Sequence, residues 1–371
     1  MSLETEIQAS IDEIKTDSYS MSIGEVANLY KENDLEIFPE YQRYFRWNIN
    51  QKSDLIESII LGIPIPPIFV AQEASGKWDV IDGLQRISTI LEFIGILKRK
   101  NLDELYEPSQ MTKTKFLPSL EGKWWENRLD EENSLNSDIR RKFKRRKLDF
   151  IIIDSTVNPK AKYEMFQRLN TNSSKLTDQE VRNCLMLMVN PTYFEVVNEL
   201  SNTEEFKSVT LLSDRNNKEQ FDKELIVRYI IARSLDMELV NLQNDMGVFL
   251  TEELLELMEK DEVELTKYID EFNRTVQLLN RVLGERALKK YNHEKETFEG
   301  GFSLSMFEVI LLGLSENIDN WETESEATLV SIIQEVPIKP EFEHATSRGK
   351  RAIARFKELS LLSRDLFKNE D

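Results

Sequence analysis

Asp82-Gly83-Leu84-Gln85-Arg86 puts a carboxylate, a glycine, an amide and a guanidinium within five consecutive positions. A strand-type run, Trp78 to Ile81, leads in, and a helical pattern follows from Gln85 to Leu97. Gly83 supplies the tight turn between them, and N–H groups at a helix start attract anions. In the first turn of such a helix, Arg86 can grip a phosphate with two parallel hydrogen bonds. Asp82 can hold Mg2+, orient a water or fix Arg86, while Gln85 can orient a water or the ligand. The competing reading is an ordinary Asp-Gly turn with an Asp–Arg surface pair.

Two further segments offer chemistry that complements this turn. Tyr41-Gln42-Arg43 places a second candidate phosphate ligand, Arg43, beside aromatic residues, with Trp47 four positions on. Trp47 is read first as a packing residue and second as a stacking face. Arg168 and Asn170 stand at the end of the helical stretch Lys160 to Leu169, before a polar loop. They can close the same site from another side, or simply end the helix with Asn170 in the left-handed region.

Arg140-Arg141-Lys142-Phe143-Lys144-Arg145-Arg146-Lys147 is basic at seven of eight positions. Arg140, Arg141, Lys144 and Arg145 are therefore candidates for contact with DNA. A solvated helix end, or a partner for acidic parts of the chain, is the alternative.

Other chemistries are excluded by what is missing. The chain has neither a G-x-x-x-x-G-K-[ST] loop nor a dinucleotide-type glycine triplet. Its two histidines, His293 and His344, are far apart, and Cys184 is its sole cysteine. A zinc hydrolase, a disulfide framework and an HNH-type nuclease all lack their residues here. Cys184, in an apolar helical setting, reads as a packing thiol.

The elements that must position these residues follow from patterning. With 371 residues the length suggests two domains, and 40% hydrophobic with 31% charged residues suits a globular protein with an ionic surface. In the first half, Gln51 to Leu61 is an amphipathic helix stopped by Gly62. Ile63-Pro64-Ile65-Pro66-Pro67 must be extended, and Ile68 to Ala71 pairs with Trp78 to Ile81 across a Gly76 turn. Leu148 to Ile153 is a buried strand, and residues 99–147 read as a polar insertion over the core. Thr177-Asp178-Gln179-Glu180 is a capping box, after which helical patterns dominate. We expect an α+β domain over 1–190 and an all-α domain over 191–371.

Charge follows the same division. The net charge of −19 splits into −4 for residues 1–190 and −15 for residues 191–371. Polyanion contact is therefore expected in the first half. No run approaches the ~20 apolar residues of a membrane span. The start, Met1 to Lys15, is acidic and lacks the order of a secretory signal, so the cytoplasm is the expected location.

The three site segments, in this order, resemble the N-terminal domain of GmrSD-type restriction systems, within the ParB/sulfiredoxin superfamily. The resemblance runs from Tyr41-Gln42-Arg43 through Trp47, Ile56 to Gly62, Ile63 to Pro67 and Asp82 to Arg86, to Phe166 to Thr171 and Leu176 to Glu180. It implies a ParB/sulfiredoxin-like fold with a small mixed sheet; the family's restriction enzymes also carry a separate HNH nuclease domain, which by the histidine count is not expected in this chain. The segment matching Asp82 to Arg86 usually reads Asp-Gly-Gln-Gln-Arg in that family and serves nucleotide binding and hydrolysis; here Leu84 replaces the first Gln. The resemblance therefore implies an NTP-binding, Mg2+-dependent hydrolytic component of a bacterial antiphage system, with Asp82, Gln85 and Arg86 catalytic. Tyr41, Gln42, Arg43, Gly83, Arg86, Arg168 and Asn170 would bind nucleotide. Two alternatives stand beside it: a non-catalytic sensor or adaptor for nucleotide or modified DNA that recruits a partner protein or a second copy through its acidic helices, and a DNA-acting nuclease.

Overall fold

In the computed structural model, residues 16–37, 47–72, 75–99, 104–154, 163–164, 177–243, 245–259 and 263–368 are described. The chain divides into two compact units, Met1–Ser173 and Ser174–Asp371. The fold is α+β: a mixed five-stranded sheet in the first part, then a helical part.

The first unit runs β1 (Thr16–Ser22), α1 (Ile23–Glu32), β2 (Leu35–Glu36), α2 (Ile49–Leu61), β3 (Ile68–Gln72), β4 (Trp78–Asp82), α3 (Leu84–Phe93), α4 (Ser137–Lys144) and β5 (Lys147–Asp154). Strand order is β1-β5-β3-β4-β2. β5 is antiparallel to β1 and parallel to β3, and β3 is antiparallel to β4. Alternation explains β5: Leu148, Phe150 and Ile152 face the core that also holds Ile68, Val70 and Val80.

Helix boundaries follow local chemistry. Asn48 and Gln51 form a capping box that starts α2 two residues before the expected Gln51, and left-handed Gly62 ends it. α3 stops at Phe93 and not at Leu97, because Gly95 adopts φ 75°.

The stretch expected as a polar insertion is part of the core. Met111, Leu120, Trp125, Leu135 and Phe143 are all buried in it. Apolar residues spaced too irregularly for a helix or strand hid this from the sequence. Polar residues of α2 and α3 tie the segment down: Ser53 accepts from the Thr112 N–H at 2.9 Å, and Glu92 takes Lys52 at 2.7 Å and the Ser109 hydroxyl. Buried Glu57 accepts the N–H groups of Phe116 at 2.7 Å and Leu117 at 2.6 Å.

In the second unit the capping box of Thr177 and Glu180 starts the Asp178–Val189 helix. That helix packs with the Pro191–Asn202 and Met246–Met258 helices, so the expected boundary near 190 falls inside this unit. Its fully buried Arg182 opens a chain of polar contacts. Arg182 donates to Gln179 at 2.7 Å and Glu224 at 2.8 Å; Arg228 donates to Glu224 at 2.7 Å and Glu308 at 2.9 Å. Burial pushes the Glu224 carboxyl up, but Arg228 and Arg182 outweigh it and hold it below the usual carboxylate range. Cys184 is buried in the same helix.

Two stability outcomes follow. Arg182→Ala leaves part of a buried charge network unpaired and should cost about 3–5 kcal/mol in urea denaturation. At Glu57, burial raises the carboxyl, but hydrogen bonds from Thr114, Leu117 and Phe116 outweigh it and hold it below its ordinary value of 4.5. Because the folded-state value lies below the unfolded one, this stabilisation is complete above about pH 4.5 and disappears as pH falls through the folded value. Denaturation midpoints measured from roughly pH 6 to pH 3 should fall less for Glu57→Gln than for the parent protein.

Candidate functional site

The Asp82–Arg86 segment sits where β4 ends and α3 begins. Gly83 has φ 97° and ψ 9°, left-handed values that a side chain disfavours. Space is also lacking: a Cβ there would come within 2.3 Å of Ile68 Cδ1. As the residue before α3, Gly83 contributes no side-chain cap, so no side chain claims the first N–H groups of that helix from this position.

Arg86 is only 11% exposed and is already engaged. It donates to Asp82 Oδ2 at 2.8 Å, to the Pro67 carbonyl at 3.1 Å and to the Pro66 carbonyl. A guanidinium has five N–H donors. Three are therefore assigned, and two have no partner among the described residues. Gln85 Oε1 accepts the Trp47 N–H at 3.4 Å, which ties the start of α2 to the start of α3. Trp47 itself packs against the core, and so does Leu84. The leucine that replaces a polar residue of the Asp-Gly-Gln-Gln-Arg pattern is thus a packing residue.

Of the expected site residues, Asp82, Gly83, Gln85 and Arg86 are brought together. Tyr41, Gln42, Arg43, Arg168 and Asn170 lie outside the described residues. Among the described residues no cluster of three or more His, Cys, Asp and Glu could hold a metal ion. Both histidines are exposed: His293 contacts the Gln334 carbonyl and His344 pairs with Glu358.

Residues 25–187 match the family model described as GmrSD restriction endonuclease, N-terminal domain. This segment is a GmrSD N-terminal domain. No curated protein and no solved structure matches the chain. The match covers β2 to β5 of the first unit, leaves out β1, and runs into the Asp178–Val189 helix of the second. Its description names a restriction endonuclease, which points to a component of a restriction or defence system. Among the described residues no helix is long and apolar enough to cross a membrane.

The basic run within the GmrSD domain is only partly available to a ligand. Arg140 pairs with Glu126, and Arg141 pairs with Asp138. Arg146 donates to the Ile60 carbonyl at 2.8 Å. Lys144 lies 5.8 Å from the Trp125 ring centre. Lys142, Arg145 and Lys147 are exposed, with no ion pair among the described residues. A cavity of about 800 Å3 abuts this region, floored by Leu117, Leu120, Leu135 and Ile139; its lining includes Arg140 and none of residues 82–86. Sequence reasoning had no signal for it, because most of its wall comes from the irregular segment between Leu117 and Asn136.

Gly83→Ala tests the turn. The left-handed backbone should cost about 1–2 kcal/mol, and the clash with Ile68 should add about 1–3 kcal/mol. Urea denaturation of the variant should show a loss in that combined range; an unchanged midpoint would show that the turn tolerates a side chain.

Proposed function

We propose that the chain binds a nucleoside triphosphate at the Asp82–Arg86 turn and hydrolyses it with Mg2+, as a component of a restriction-type defence system. One observation carries this reading: α3 begins at left-handed Gly83 without a side-chain cap, directly beside Asp82 and an Arg86 that keeps two donors in reserve. The first N–H groups of α3 and those two donors suit a phosphate. Phosphoryl transfer needs positioning and charge neutralisation more than covalent groups, so a sparse site suffices.

The roles divide by chemistry. Arg86 neutralises phosphate charge. Asp82 offers one carboxylate oxygen beyond the one that Arg86 holds. Mg2+ is commonly held by one or two carboxylates together with phosphate oxygens and water, so the single Asp82 fits such an ion. The ion would supply further neutralisation between phosphate oxygens. Gln85 orients the ligand or a water. Tyr41, Gln42, Arg43, Arg168 and Asn170 would complete the nucleotide site.

Leu84 favours a second reading. Packed on the core, it can neither accept nor donate a hydrogen bond, which removes one means of placing a water. On this reading the domain senses nucleotide without turnover, and the acidic helices recruit a partner protein or a second copy. DNA contact through Arg140 to Lys147 is the weaker proposal, because Arg140, Arg141 and Arg146 already have partners.

Phosphate release from ATP and GTP, measured with Mg2+, separates the readings. Hydrolysis should fall at least about 100-fold in Asp82→Ala, with circular dichroism confirming the fold. Binding of either nucleotide without release would support the sensor. Release that persists unchanged in Asp82→Ala, or the absence of any nucleotide affinity, would remove the assignment.

A further inference from the structure

Five residues, Ile63-Pro64-Ile65-Pro66-Pro67, join α2 to β3 outside any helix or strand. Three of them are prolines and lack an N–H. Ile63 donates to the Ser58 carbonyl at 2.9 Å, within the cap of α2. Ile65 packs against the core in the middle of the strap, and a guanidinium group fastens each end. At its start, Arg146 holds the Ile60 carbonyl at 2.8 Å and lies against Gly62, where a Cβ would come within 2.7 Å of its NH1. At its end, both described bonds from Arg86 NH1 go to the carbonyls of Pro66 and Pro67.

We propose that the Arg86 end is a latch opened by phosphate at the Gly83 turn: the anion draws the guanidinium away from Pro66 and Pro67 and frees the strap. This rests on the nucleotide reading above and adds a regulatory consequence to it. The geometry sets the direction of the pull. Arg86 NH2 lies nearest the turn, 3.3 Å from where a Gly83 Cβ would be, while NH1 faces the strap. An anion held by the first N–H groups of α3 therefore attracts the NH2 side.

The energetics favour exchange of partners. A hydrogen bond from guanidinium to phosphate is roughly twice as strong as one between neutral groups. At 11% exposure, water screens the competition little. Two proline carbonyls are then the weaker claimants, whereas the charged Asp82, at 2.8 Å, stays bound.

Amide hydrogen exchange by mass spectrometry on the full chain tests the latch, read at Ile65 and Ile68. The probes are ATP with Mg2+ and inorganic triphosphate. In the bound parent protein, exchange at these amides should rise about tenfold, with Phe150 and Ile152 in β5 as unchanged controls. Ligand-free Arg86→Gln should show the same rise without any probe. Binding with exchange at Ile65 and Ile68 unchanged or slowed overturns the latch and leaves the nucleotide reading standing: the phosphate then uses only the two reserve donors. Failure of both probes to bind removes the nucleotide reading and the latch with it. Parent-like exchange in Arg86→Gln shows that Arg86 does not hold the strap, and also overturns the proposal.

Discussion

A single guanidinium, that of Arg86, closes the N-terminal site into one piece. It joins the end of β4 through Asp82 to the entry of β3 through Pro66 and Pro67. Those two strands are neighbours in the sheet, and the ring closes over Gly83, whose missing side chain leaves room for Ile68. Without glycine the ring cannot close, and without arginine the proline segment loses its fastening at that end. Salt bridges on a surface contribute little, but this one is largely shielded and carries two carbonyl bonds besides. Turn, strap and helix start are therefore held together by one side chain.

The second unit is organised around charge as well. Arg182, Glu224, Arg228 and Glu308 come from three helices and are buried or nearly so. Burial raises the Glu308 carboxyl despite Arg228 and Arg355 nearby, whereas two arginines at bonding distance hold Glu224 low. Such a chain adds little net stability over an apolar core, because desolvation offsets its attraction. It does fix which helices meet. Because Arg182 lies within the GmrSD match while Glu224 and Glu308 follow it, the domain as matched ends inside this network. An expression boundary at residue 187 would strand a buried cation.

How much of this was legible in the sequence depends on the kind of signal. The turn at Gly83, the strand before it, the helix after it and the capping box at Thr177 were readable, because glycine, β-branched runs and capping residues act locally. The burial of Met111, Leu120 and Trp125 was not, because no helical or strand period marks an irregular segment that packs. Equally invisible was the use of Glu57, Glu92 and Ser53 as fastenings for that segment, since a polar residue on a helix reads as solvent-facing until its partner is known. The same limit applies at Arg86. Its place in the first turn of α3 was clear, but Pro66 and Pro67, twenty and nineteen residues earlier, could not be named as its partners.

Arginines of the basic run make the complementary point about charge. Seven cations in eight positions suggest a surface for a polyanion, yet the side chains divide among different tasks. Arg140 and Arg141 meet carboxylates, and Arg146 fastens the strap at Ile60. Arg146 and Arg86 thus perform one task from opposite ends: each gives a carbonyl a charged donor where proline and helix end leave carbonyls unclaimed. A segment so fastened has two stable attachments and little of its own hydrogen bonding between them. Motion at the Arg86 end then costs the two carbonyl bonds there and the packing of Ile65 on the core. The structural and functional readings of Arg86 are for this reason not rivals: its two carbonyl bonds are the ones the latch would release, while its bond to Asp82 stays.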